Sequence, residues 1–125
     1  MISTKGRYAL RVLIDLAEQD TTTYVPLKEI AKRQGISEKY LQQIVKILVG
    51  KGLLTGISGK GGGYRLTASP EEYNVGEILE LMEGSLTPVA CLAPDTKTCS
   101  RSSHCKTLPM WKKFDNLVHD YFFHI

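Results

Sequence analysis

Apolar residues recur at helical spacing along most of this chain. Ala9, Val12, Leu13, Leu16 and Ala17 stand at i, i+3, i+4, i+7 and i+8, one face of a first helix. That spacing turns Arg11, Asp15 and Glu18 outward. The polar run from Asp20 to Thr23 ends the helix. Pro26 suits the first turn of a second helix, where its missing N–H has no intrahelical partner to lose. Leu27, Ile30 and Ala31 give that helix a short apolar face, and Gly35 stops it. Ser37 is a good N-cap for a third helix, with Glu38 near the positive end of the dipole. Its apolar stripe is Leu41, Ile44, Val45, Leu48 and Val49, its other faces carry Lys39, Tyr40, Gln42, Gln43 and Lys46, and Gly52 ends it.

The pattern then changes. Leu53, Leu54 and Ile57 predict a strand, and Tyr64 to Thr67 predict its partner. Between them Ser58-Gly59-Lys60-Gly61-Gly62-Gly63 forms a flexible hairpin tip that can approach another surface closely. Asn74 and Glu77 make a capping-box-like start to a fourth helix carrying Val75, Ile78, Leu79 and Met82, which Gly84 ends. A loop with Pro88, Pro94 and three cysteines follows. Leu108, Trp111, Phe114, Val118, Tyr121, Phe122 and Ile125 then return at mostly helical spacing. There is no internal repeat and no low-complexity linker. The expected fold is mostly α with a small β-hairpin wing: a winged helix-turn-helix domain plus a long C-terminal dimerisation helix. Residues 1–84 form the DNA-binding region, 85–105 a cysteine-containing loop and 106–125 the dimerisation helix, within one compact domain.

Charge sharpens this picture. The 125 residues carry a net charge of +3, unevenly spread. Residues 1–65 hold 11 Lys and Arg against 5 Asp and Glu; residues 66–125 hold 5 against 8. A basic N-terminal half points to a polyanion, double-stranded DNA above all, although a solvated lysine-rich face has the same composition. The apolar stretch after Lys5 and Arg7 is broken by Arg11 and Asp15 and lacks a small-residue cleavage site, so no secretory signal is visible. No run approaches a membrane span, and a cytoplasmic location with reduced thiols is expected.

Two short helices about a tight turn, the second polar and basic outside, followed at once by a glycine-tipped hairpin, form the winged helix-turn-helix pattern. A helix fits the major groove, and a slim basic wing reaches phosphates or the adjacent minor groove. The candidate DNA contacts are Lys5, Arg7, Lys28, Ser37, Lys39, Tyr40, Gln42, Gln43, Lys46, Ser58, Gly59 and Lys60. The alternative is an ordinary helical domain with a surface hairpin. Enzyme chemistry is not expected: there is no Ser/His/Asp set, no paired-carboxylate motif and no phosphate loop before a Lys-Ser/Thr pair.

Cys91, Cys99 and Cys105 are separated by seven and then five residues. An odd number of clustered cysteines suits metal binding better than a disulfide framework. Soft thiolates at this spacing suit an iron–sulfur cluster, zinc or copper, and the spacing does not choose between them. Unliganded thiols, a Cys₃His zinc site and a redox pair with one cysteine spare all remain open.

Several stretches together resemble one family. Ile2-Ser3-Thr4-Lys5-Gly6-Arg7-Tyr8-Ala9-Leu10, then Gly35-Ile36-Ser37 followed by Tyr40-Leu41, then Gly62-Gly63-Tyr64, then Val75-Gly76-Glu77-Ile78 are similar to the Rrf-two (Rrf2) family of bacterial transcription regulators, with its IscR-like, NsrR-like and CymR-like branches. The resemblance runs from residue 1 to about Trp111 and more weakly to the end. It implies a homodimer held by the C-terminal helix on a palindromic operator, with recognition contacts at Lys39, Tyr40 and Gln42. It also implies an iron–sulfur cluster, 2Fe-2S or 4Fe-4S, on Cys91, Cys99 and Cys105, with zinc as the alternative. The function so implied is a repressor or dual regulator that senses iron–sulfur or redox status. Its alternative is the same fold with a structural zinc or empty thiol site and control by a partner protein.

Three positions depart from the family pattern. Many members carry arginine where Ser58 precedes the first wing glycine. The IscR-like branch has a histidine where Leu108 stands, and the NsrR-like branch an N-terminal aspartate where Arg7 stands. The fourth ligand is therefore sought at His104, at Asp95, in a small molecule or in the partner subunit, while His119 and His124 are expected to be surface or interface residues of the last helix.

Overall fold

The computed structural model describes residues 2–86 and 106–125. Among the described residues, five helices and one hairpin follow in the order α1 (Thr4–Glu18), α2 (Leu27–Gln34), α3 (Glu38–Gly50), β1 (Leu54–Ile57), β2 (Gly63–Leu66), a 3-10 turn (Pro70–Glu72), α4 (Val75–Glu83) and α5 (Leu108–Phe123). No described helix is long and apolar enough to cross a membrane.

The apolar stripes meet around α1. Val12, Leu16, Ile30, Leu41, Ile44, Leu48 and Leu54 are almost wholly removed from water in one core shared by α1, α2, α3 and the hairpin. Each such aliphatic side chain contributes about 1.5–3 kcal/mol relative to exposure. Leu79, Leu86 and Val118 form a second cluster, through which α5 rests on α4. Gly76 lies at that crossing, where a side chain would strike the Phe123 ring.

The helix ends follow from local chemistry. Gly35 takes φ 65° and ends α2, with Ile36 N–H returning to Ala31 O. Leu53 N–H to Leu48 O and Gly52 N–H to Val49 O close α3 in a Schellman motif. Pro26 stands just before α2 rather than in its first turn. Asn74 caps α4 by accepting from Glu77 N–H at 3.0 Å, half of the expected box, and its side-chain amide also donates to Phe123 O of α5 at 2.7 Å. The full capping box lies earlier, between Ser69 and Glu72 on the 3-10 turn that the periodicity did not show.

Both ends of α4 hold distant chain. Val75 N–H donates to Ile125 O at 3.2 Å. At the other end Glu83 Oε1 accepts from Ser3 N–H and Ser3 Oγ, each at 2.8 Å, and from Gly6 N–H at 3.2 Å. Ser3 makes no side-chain cap of its own helix, so a carboxylate from α4 satisfies the first free amides of α1. A side chain at position 6 would collide with that carboxylate and with Leu79.

Three expectations are corrected. Asp15 does not face solvent: it is 3% exposed, accepts from Arg33 Nη2 at 2.7 Å and from Gln34 Nε2 at 2.9 Å, and docks α1 onto the end of α2. Arg11 is likewise half-buried, with Nε on Gln34 Oε1 at 3.0 Å and Nη2 on the Gln34 carbonyl. Val49, placed on the buried stripe of α3, is 38% exposed because the hairpin leaves a groove beside it. The aromatic stripe of α5 also divides in two. Val118, Phe122 and Phe123 turn toward α4, while Met110, Phe114, Leu117 and Tyr121 stand 41–67% exposed.

Candidate nucleic-acid interface

Ser37 starts α3 by accepting from Tyr40 N–H at 3.4 Å, and Glu38 begins its first turn. The buried residues Leu41, Ile44, Val45 and Leu48 fix the helix against the core. This leaves Lys39, Gln42, Gln43 and Lys46 exposed on the outer face, and none of them is needed for packing.

The hairpin is set beside α3 by an additional pairing. Val25 and Tyr64 exchange backbone hydrogen bonds at 2.9 and 2.8 Å, tying β2 to the segment before α2. Gly63, at φ 151°, lies against the Val25 backbone where no side chain would fit. Tyr73 anchors the base of the wing: its hydroxyl donates to Leu53 O at 2.6 Å and accepts from Thr67 N–H at 3.0 Å. The tip from Ile57 to Gly61 is exposed, with positive φ at Gly59 and Gly61.

Between α3 and the wing runs an open groove of about 920 Å³. It brings together Lys28, Gln42, Lys46, Ser58 and Gly59 of the expected contacts. Ser37, Lys39, Gln43 and Lys60 are exposed outside its lining. Arg7 is exposed on α1, where it donates to Thr4 Oγ1 at 3.1 Å, and Lys5 is half-buried nearby. Tyr40 departs from the outward face. It is half-buried with its ring centroid 5.7 Å from that of Tyr8, over which Arg11 lies at 5.2 Å. Of the charged residues lining the groove, sequence reasoning missed Glu38, because a carboxylate at a helix start already has a structural reason to be there. Its i, i+4, i+8 spacing with Gln42 and Lys46 was the available signal.

Cys91, Cys99, Cys105, His104 and Asp95 lie outside the described residues. Among the described residues no three His, Cys, Asp or Glu side chains gather as metal donors. Leu108, in the first turn of α5, is apolar, and Arg7 is a cation, so neither supplies a ligand. His119 is engaged within its own helix: Nδ1 lies 2.8 Å from Asp115 O and the ring stacks on Phe123 at 5.7 Å. His124 makes the same kind of contact to Asp120 O and is exposed.

The chain matches, over residues 2–125, the family model for Rrf2, described as an iron-dependent transcriptional regulator. It is 36% identical over 110 residues to Protein rrf2 of Nitratidesulfovibrio vulgaris, covering 88% of this chain and 73% of that one. Among solved structures it is similar to CymR, the global cysteine regulator of B. subtilis, at 34% identity and TM-score 0.76 over 98% of this chain and 88% of that one. It is also similar to T. potens IscR, at 33% identity and TM-score 0.75 over 100% of this chain and 81% of that one. With a winged helix-turn-helix built as described and a family match along nearly its whole length, the chain belongs to the Rrf2 family of transcriptional regulators and is not an enzyme.

Proposed function

We propose that this regulator binds a palindromic operator as a homodimer and adjusts that binding through Cys91, Cys99 and Cys105. The observation that carries the DNA-reading part is the groove between α3 and the wing, where Gln42 and Lys46 stand free of the core beside Lys28 and the glycine-rich tip. A side-chain amide can read adenine through paired hydrogen bonds, and lysines meet phosphate. Pairing through α5 is supported by Met110, Phe114, Leu117 and Tyr121, whose 4-3-4 spacing makes a seam of exposed apolar side chains. A two-fold pair reads two half-sites.

The cysteines would hold an iron–sulfur cluster. Three thiolates are the donor chemistry that such a cluster takes, and the family description is iron-dependent. When bound, it would supply sensitivity to redox state and iron supply. The residues joining the cysteine segment to the DNA-binding half are Glu83 and Gly84, and Glu83 holds the start of α1. Glu83, which precedes that segment in the chain, thus touches the helix on which the turn before α3 is docked.

The test is anaerobic reconstitution with iron and sulfide, followed by titration of loaded and unloaded protein on duplexes that the protein itself selects from a randomised pool. Loading should give visible thiolate-to-iron charge-transfer absorbance, lost on replacing any one cysteine by alanine. The two forms should differ by roughly 5- to 150-fold in affinity or in preferred site. Identical curves would remove the sensing role and leave a constitutive regulator. A second reading keeps the same fold with a structural zinc or empty thiol site and control by a partner protein, and the likeness to CymR, a global cysteine regulator, supports a signal tied to cysteine. Colourless protein that retains zinc, or no metal, after anaerobic purification would select it.

A further inference from the structure

The turn of the helix-turn-helix is held from outside, by three residues of α1, Tyr8, Arg11 and Asp15. Gln34, the last residue of α2, is gripped on three sides. Its side-chain oxygen accepts from Arg11 Nε at 3.0 Å, its backbone carbonyl accepts from Arg11 Nη2, and its amide donates to Asp15 at 2.9 Å. Carbonyls at a helix C-terminus have no partner within the helix, so the guanidinium fork takes a place that water would otherwise fill. The same guanidinium lies 5.2 Å from the Tyr8 ring centroid. Tyr8 in turn meets Tyr40, in the first turn of α3, with centroids 5.7 Å apart and planes tilted 57°. Residues three apart on one face of α1 thus fix the last residue before the turn and the first aromatic residue after it. Neither Tyr8 nor Arg11 lines the groove beside α3.

We propose that Tyr8 and Arg11 are positioning residues for sequence preference, acting through Gln34 and Tyr40 to set the tilt of α3. This rests on the reading of α3 as the DNA-recognition helix. Base-edge hydrogen bonds tolerate only about 0.5 Å or 10–20° of misplacement. Long lysine side chains on phosphates follow a displaced helix. Loosening the Arg11–Gln34 fork or removing the Tyr8 ring therefore costs selectivity while leaving attraction to DNA of any sequence in place.

The experiment uses the full chain, in one cluster state throughout. Wild-type protein enriches duplexes from a pool with a randomised centre. Affinities are then measured for the enriched duplex and for a scrambled duplex of the same composition. Arg11→Met keeps the length of the side chain but loses both bonds to Gln34, and Tyr8→Leu loses the ring. Each should lower affinity for the enriched duplex by roughly 10-fold and for the scrambled duplex by less than about twofold. Tyr8→Phe keeps the ring and should retain wild-type selectivity. Arg11→Lys cannot serve two acceptors in fixed geometry and should fall between; it also stands in if Arg11→Met does not fold. Thermal unfolding followed in parallel separates the inference from a purely structural role. Variants that lose Tm but keep the ratio of enriched to scrambled affinity overturn it, as does proportional loss on both duplexes. If wild-type protein enriches no sequence at all, the recognition-helix reading falls and takes the inference with it.

Discussion

At the scale of single residues, Asp15 shows how packing redirects a side chain that periodicity alone assigns to solvent. Burial pushes its carboxyl pKa up, but hydrogen bonds from Arg33 and Gln34 and the Arg33 charge outweigh burial and hold it below the ordinary aspartate value. A carboxyl whose folded pKa is depressed contributes its full stabilisation above the unfolded value, about 3.9, and loses it as pH falls through the folded value. Asp15→Asn should cost about 1–3 kcal/mol near neutral pH, less than for a fully enclosed pair because Arg33 is 36% exposed. Denaturant unfolding should show the gap between wild type and variant narrowing as pH drops below about 4. A gap that stayed constant there would mean that the carboxylate charge is not its source. Gly6 sets a different constraint. Gly6→Ala puts a methyl group into the Glu83 carboxylate and should destabilise by about 1–3 kcal/mol, which thermal melting would register directly.

Among the elements, the proposed function assigns DNA contacts to α3 and contacts with a second copy to α5. On α3, Gln42→Ala should relax sequence preference more than it weakens overall binding, whereas Lys60→Ala in the wing should weaken binding to every duplex about equally. Equal losses on selected and scrambled DNA for Gln42→Ala would remove its base-reading role. On α5, Leu117 is 57% exposed, so Leu117→Asp should change the stability of one subunit by no more than about 0.5 kcal/mol. It places a charge in the proposed seam and should shift sedimentation from dimer to monomer. A dimer that survives this change would locate the contact elsewhere. The elements were largely legible in sequence. Ser37, Gly35, Gly52 and Asn74 mark their ends through chemistry that needs no tertiary partner. What periodicity could not show was which of two neighbours each apolar residue meets. Val118, Phe122 and Tyr121 sit within one turn of α5, yet the first two are covered by α4 and the last is not.

For the whole molecule, the order of elements and the alignment of helix and wing followed from hydrophobic pattern and glycine placement, while the polar contacts between elements did not. The Asp15–Gln34–Arg11 group and the Glu83 clasp join residues 19 to 80 positions apart. Each uses side chains that, one at a time, look like ordinary surface charge. Glu38 was hidden in the same way, since its helix-end role is a sufficient local reason for it. The clasp also bears on the order in which the molecule opens. Backbone amides near the start of a chain ordinarily exchange with solvent fast, but Ser3 and Gly6 N–H are bound to the last turn of α4 and Val75 N–H in its first turn is bound to Ile125 O. The shared attachment to α4 predicts that these amides open as one cooperative unit. In native-state hydrogen exchange Ser3, Gly6 and Val75 should open together with a common free energy, despite more than sixty residues between the first two and the third. In Glu83→Ala, the amides of Ser3 and Gly6 should exchange early and leave Val75 behind.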